Sequence, residues 1–142
     1  MSEETGGLAG GHPKFDQRFI DRYRTVCSAP FVRAERRVIG GEYGASGYTT
    51  MAQADRLGLE LDLGPGRWLL DIGSGPGWPG AYLAKSTGCS VVLTDPTLEG
   101  VSLAANRLDS DRLSGHAIVT QGDMLPFRDG GFDAVTSGDV FC

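Results

Sequence analysis

From Trp68 onward the chain alternates short apolar runs with stretches in which apolar residues recur every three or four positions. Trp68-Leu69-Leu70-Asp71-Ile72, Ser90-Val91-Val92-Leu93-Thr94, His116-Ala117-Ile118-Val119-Thr120 and Phe132-Asp133-Ala134-Val135-Thr136 read as strands. Between them, helices are predicted over about 78–87, with Ala81, Tyr82 and Ala84 apolar, and about 98–108, with Leu98, Val101, Ala105 and Leu108 on one stripe. Apolar strands separated by helices predict a parallel sheet covered on both faces, with right-handed crossovers.

Upstream, Phe15, Phe19, Tyr23 and Val26 share one face of a charged helix expected over 15–27. It packs on the domain or, secondarily, forms a lid over a small-molecule pocket. Pro30 interrupts the pattern, and Arg33, Glu35, Arg36 and Arg37 read as a solvated patch. The glycine-rich stretch from Gly40 to Thr50 reads as a shaped loop, and Thr49 or Thr50 can cap a helix over 51–61. Residues 1–14 read as a disordered tail, 15–62 as a helical extension with a covering loop, and 63–142 as the sheet domain.

Composition narrows the function. A chain of 142 residues, 40% hydrophobic, is one domain with a real core. Its net charge of -5 disfavours nucleic acid as a partner. No apolar run approaches the ~20 residues of a membrane helix. The acidic start, Met1-Ser2-Glu3-Glu4, is unlike a secretory signal. Cys27, Cys89 and Cys142 are odd in number and far apart, which suits a reducing cytoplasm. His12 has no companions at metal-ligand spacing, so no metal site is expected.

The strongest chemical signal is Asp71-Ile72-Gly73-Ser74-Gly75-Pro76-Gly77, set between a strand and a helix. Glycines there let the backbone approach a ligand, and the helix N-terminus offers free N–H groups. Asp95 follows Gly77 by 18 residues, at the end of the next strand, where a carboxylate can accept both hydroxyls of a ribose. The dinucleotide fingerprint G-x-G-x-x-G is not met, because its third place falls on Trp78 and the glycine comes early, at Gly77. Asp71 is also awkward beside a pyrophosphate and suits a ligand bearing an amino group. No GK[ST] is present, so the loop is not a P-loop.

Leu69 through Gly77, Asp95 and Gly122-Asp123-Met124-Leu125-Pro126-Phe127 resemble the ordered motifs of class I S-adenosylmethionine-dependent methyltransferases. The similarity is to the small-molecule, ubiquinone/menaquinone-biosynthesis type, often called type 11. The resemblance implies a Rossmann-like doubly wound α/β sheet that binds S-adenosyl-L-methionine. It implies that Gly73, Ser74, Gly75 and Gly77 cradle the methionyl part while Asp71 orients its amino group. Asp95, with Pro96, would bind the ribose. Asp123 would accept from the adenine amino group, with Met124 against the ring. Ser137 to Asp139 would line the methionine end, and Tyr48 and Thr49 would close over the cofactor.

Asp133, Trp68, Trp78, Tyr82, Cys89 and His116 read as structural. The resemblance further implies a seven-stranded sheet in the order 3-2-1-4-5-7-6, of which this chain supplies 3-2-1-4. Ala134 and Val135 would then face a neighbour, either a missing C-terminal half or a homo-oligomeric partner. No residue is singled out as catalytic, since methyl transfer from a sulfonium is an in-line displacement helped mainly by positioning. The reading is therefore a small-molecule methyltransferase. Its rivals are a non-catalytic cofactor-binding module, an NAD-dependent oxidoreductase and an aminopropyltransferase-like enzyme.

Overall fold

The computed structural model of the chain describes residues 13–138 and Val140. His12, Asp139 and Cys142 lie outside the described residues. Four strands, β1 (Trp68–Ile72), β2 (Ser90–Asp95), β3 (Gly115–Val119) and β4 (Ala134–Thr136), form one parallel sheet in the order β3-β2-β1-β4. This is the expected Rossmann-like order.

Register explains the core. Leu69 pairs with Val91 on one side and Ala134 on the other, and Leu93 pairs with Ala117. These residues point to one face, where Ala81, Leu83 and Ala84 of α4 (Gly80–Thr87) and Ala104 and Leu108 of α5 (Leu98–Ser110) complete a buried cluster. Leu69, Val91 and Leu93 are fully buried there. Small helix residues let α4 lie close. A Cβ on Gly80 would meet Leu93 Cδ2 at 2.5 Å and Asp71 Oδ2 at 2.6 Å.

The β3–β4 connection runs through residues 120–133 without a helix. On the face away from α4 and α5, Val135 stays 53% exposed and Trp68 37%, with the Trp68 ring stacked on His116 at 6.5 Å. Ala134 is buried on the helical face, so only Val135 of that pair lacks cover. β4 pairs with β1 alone and forms one edge of the sheet.

Three helices precede the sheet: α1 (Pro13–Tyr23), α2 (Ala29–Val38) and α3 (Met51–Glu60). α1 begins inside the stretch read as tail and stops short of Cys27. α3 starts at a capping box. The Thr50 hydroxyl accepts from Gln53 N at 3.2 Å while Thr50 N donates to Gln53 Oε1 at 2.8 Å.

α2 corrects the sequence reading. Pro30 sits in its first turn, where the missing N–H is an orphan anyway, so it starts a helix rather than interrupting one. Glu35, read as part of a solvated patch, is 7% exposed. Arg36 pairs with Glu42 across to the following loop. Trp78 is buried among Tyr43 and Tyr82, with ring centroids 4.8 and 5.5 Å away, and Arg107 lies over the Tyr43 ring at 4.5 Å. No described helix is long and apolar enough to cross a membrane.

Candidate functional site

The carboxyl ends of β1 and β2 place two loops side by side. After β1 the chain takes left-handed backbone angles at Gly73 (φ 70°), Gly75 (φ 52°) and Gly77 (φ 112°). Glycine alone adopts these without strain. Ser74 N donates to the Thr94 carbonyl at 2.8 Å, which ties the loop to β2.

Asp95 closes β2 and is 4% exposed. Its Oδ1 accepts from Thr97 N at 2.9 Å and from the Thr97 hydroxyl at 2.6 Å. Its Oδ2 accepts from Gly75 N at 3.0 Å and from the Tyr23 hydroxyl at 3.4 Å. Burial pushes the Asp95 carboxyl up, against the pull of the Thr97, Gly75 and Tyr23 hydrogen bonds. Thr97 also caps α5, accepting from Gly100 N at 3.1 Å. One carboxylate thus links the glycine loop, the start of α5 and helix α1.

A cavity of about 130 Å³ opens at this junction, lined by Phe19, Tyr23, Ser46, Gly47, Gly73, Asp95, Pro96, Gly138 and Val140. Gly73, Asp95 and Pro96 are therefore brought together as expected, and Gly75 borders them beneath Tyr23. A Cβ on Gly75 would meet Tyr23 Oη at 2.7 Å, and one on Gly73 would meet Val140 Cγ2 at 2.4 Å. These glycines form a cradle that any side chain would fill. A carboxylate at its floor and bare backbone on its wall suit a ribose-bearing ligand. The cavity is smaller than the ~300–1,000 Å³ usual for ligand pockets.

The other sequence candidates lie elsewhere. Asp71 is fully buried. Its Oδ2 accepts from Gly80 N at 2.8 Å and its Oδ1 from the Thr136 hydroxyl at 3.0 Å. Both oxygens are used inside the fold, holding the start of α4 and β4, and neither reaches the cavity. Ser74 is buried against Thr94, and a Cβ on Gly77 would meet Ala81 Cβ at 3.2 Å and Leu93 Cδ1 at 3.5 Å.

Asp123 and Met124 are exposed on the 120–133 connection, and neither lines the cavity. Ser137 is exposed beside Gly138, which does line it. Tyr48 and Thr49 line a separate open groove of about 800 Å³ with Gln53, Arg56, Leu57 and Glu60. Thr49 is tied to the core by its carbonyl, which accepts from Trp78 Nε1 at 3.0 Å.

Phe19, Tyr23, Ser46, Gly47 and Val140 are not among the named site residues of the sequence reading, whereas Gly138 falls in the Ser137-to-Asp139 segment expected to line the site. The one signal for the first two was the apolar stripe of α1, which serves packing and covering at once. Among the described residues no cluster of His, Cys, Asp and Glu gathers as a metal site. Cys89 is buried, and burial pushes its thiol up, away from nucleophilic character.

A family profile described as a methyltransferase domain matches residues 69–142, just over half of the chain. The chain is 37% identical over 91 residues to a glycine/sarcosine/dimethylglycine N-methyltransferase of Actinopolyspora halophila, covering 61% of this chain and 16% of that protein. It is 32% identical over 110 residues to a botryococcene C-methyltransferase of Botryococcus braunii, covering 75% and 28%. A solved S-adenosylmethionine-dependent methyltransferase from Thiobacillus denitrificans, in complex with S-adenosyl-L-homocysteine, superposes with a TM-score of 0.54 at 23% identity, covering 64% and 37%. At that identity the likeness is one of fold. The chain spans less than a third of either curated relative. The matched profile takes in the glycine loop, the acid closing β2 and the β4 strand, and the strands that carry them stand in the order the motifs imply. On these grounds the chain belongs to the class I S-adenosylmethionine-dependent methyltransferases.

Proposed function

We propose that this chain carries the cofactor-binding half of a small-molecule methyltransferase. The observation that carries the reading is the pairing of Asp95 with the Gly75 N–H beside a glycine cradle in which a Cβ at Gly73 or Gly75 would clash. Asp95 would accept the ribose hydroxyls, with Pro96 beside them and Gly73 and Gly75 as the bare wall next to the methionyl part. Ser74 and Gly77 support the loop from behind, and Asp71 anchors the start of α4 beneath it. Asp123 and Met124 reach the adenine only if the 120–133 connection folds toward the cavity. Ser137 lies at the methionine end, and Tyr48 and Thr49 border the groove through which an acceptor would approach.

When bound, S-adenosyl-L-methionine supplies an electrophilic methyl group on a sulfonium. The chain's own residues bind, orient and exclude water, and none of those described is assigned as a base. The names of the two curated relatives, which give glycine, sarcosine and dimethylglycine for one and botryococcene for the other, support a small-molecule acceptor. The net charge of -5 argues against nucleic acid, and a cytoplasmic setting fits the unpaired cysteines Cys27 and Cys89. Either a C-terminal half or a second copy would cover Val135 at the β4 edge.

The test is calorimetric titration of the purified chain with S-adenosyl-L-homocysteine, with NADH as comparison and a thermal melt alongside. Binding of the homocysteine compound alone is expected. Binding of NADH alone would move the reading to an oxidoreductase. No binding by a cooperatively melting chain would refute the cofactor site.

A further inference from the structure

Glu35 belongs to none of the motifs that mark the site, yet it is 7% exposed. Its Oε1 accepts two backbone N–H groups, from Tyr43 at 2.8 Å and from Ala45 at 2.9 Å. Its Oε2 is buried with no hydrogen-bond partner among the described residues. A carboxylate is costly to bury, and this one is turned toward amides of a loop rather than toward a cation.

The same loop is gripped from the other side. Arg22 Nη2, on α1, donates to the Ala45 carbonyl at 3.5 Å. Arg22, Glu35, Ala45 and Gly47 line one small cavity of about 110 Å³. Ala45 is therefore held by its N–H from α2 and by its C=O from α1. Between the two anchored amides, Gly44 turns the chain at φ 71°, where a Cβ would meet Val26 Cβ at 3.1 Å and Pro76 Cγ at 3.2 Å. Pro76 belongs to the glycine loop. The residues just past the clasp, Ser46 and Gly47, form one wall of the cavity above Asp95.

We propose that Glu35 is a positioning residue that clasps the 43–47 loop against the glycine loop and so sets one wall of the cofactor cavity. The proposal rests on the cofactor reading above. It assigns Glu35 no contact with ligand. Its action passes through the Tyr43 and Ala45 amides to Ser46 and Gly47.

The experiment combines amide hydrogen exchange with titration by S-adenosyl-L-homocysteine, on the parent chain, Glu35→Ala and Glu35→Gln. Glu35→Ala is expected to raise exchange at the Tyr43 and Ala45 amides and to weaken binding, each by about tenfold, while Leu70 and Val92 stay protected. Glu35→Gln keeps an acceptor oxygen at the same reach and is expected to restore both to within about threefold of the parent. Parent-like binding by Glu35→Ala would overturn the proposal. So would loss of protection across the whole sheet, which would make Glu35 a fold-stabilising residue, or failure of Glu35→Gln to improve on Glu35→Ala. A parent chain that binds nothing overturns the cofactor reading and this role together, whereas a binding parent with an unaffected variant overturns this role alone.

Discussion

The Tyr23 hydroxyl stands 3.4 Å from Asp95 Oδ2, joining two residues 72 positions apart over the face of Gly75. Burial, and then the Asp95 charge, push the Tyr23 phenol well above its ordinary range, so it stays a donor at working pH. In the proposed cofactor reading, the phenol would hold on Asp95 the place of a ligand hydroxyl, and helix α1 would be a cover whose contact with Asp95 competes with ligand.

Tyr23→Phe tests that competition. The variant is expected to lose about 0.5–1.5 kcal/mol of stability, because one buried hydrogen bond is gone. Its affinity for S-adenosyl-L-homocysteine is expected to rise a few-fold, since no hydroxyl has to leave Asp95. Denaturant unfolding and calorimetry read the two effects. An affinity that falls tenfold would instead make the Tyr23 hydroxyl a ligand contact.

Asp95→Asn keeps the shape of the residue and removes its charge. Binding of S-adenosyl-L-homocysteine should weaken by about 1–3 kcal/mol, as for loss of a charged acceptor. Asn is preferable to Ala here, because Asp95 holds Gly75 N on one oxygen and Thr97 N on the other, and the single amide oxygen of Asn keeps one of these bonds where a truncation keeps neither. Parent-like affinity would refute the ribose assignment.

Gly75→Ala attacks the cradle directly. The residue sits at φ 52°, which costs a side chain about 1–2 kcal/mol, and the new methyl would meet Tyr23 Oη at 2.7 Å. Helical content measured by circular dichroism should persist while cofactor affinity falls more than about tenfold. Unchanged binding would show that the glycine loop lies away from the ligand.

Asp71 supplies a prediction about pH. Burial pushes its carboxyl up to about 7, against the Gly80 N–H and the Thr136 hydroxyl, which pull it down. The folded chain then holds this proton more tightly than the unfolded chain, where an aspartate titrates near ~3.9. The stability that the proton contributes is complete below about pH 4 and is lost as pH rises to about 7. Asp71→Asn can still accept from Gly80 N and can donate to the Thr136 hydroxyl, so it should fold. Relative to this variant, the parent is expected to lose stability steadily across that window in urea titrations and to run parallel above it. Parallel curves throughout would show that Asp71 titrates alike in the folded and unfolded chain.

The alternation of apolar runs with helical stripes was enough to locate all four strands and helices α3 to α5, because period and turn residues are local properties of the chain. The glycine loop and Asp95 were legible for the same reason: a strand, a tight turn and a helix start recur at fixed spacing. Asp71 was legible as a position but not as a role. Whether its carboxylate faces a ligand or the α4 N-terminus depends on how closely Gly80 packs over β1.

Glu35 and Tyr23 carried less signal still. In a charged run, Glu35 looks solvated, and only the return of the 43–45 loop buries it. Tyr23 lies on an ordinary apolar stripe, and only the docking of α1 above Gly75 brings it to Asp95. Local sequence therefore determined the four strands, helices α3 to α5 and the position of Asp95 at the end of β2, but not helix α2, whose Pro30 starts a helix rather than interrupting one. Tertiary packing decided which polar groups turn inward, because that depends on partners distant along the chain whose approach no local period encodes.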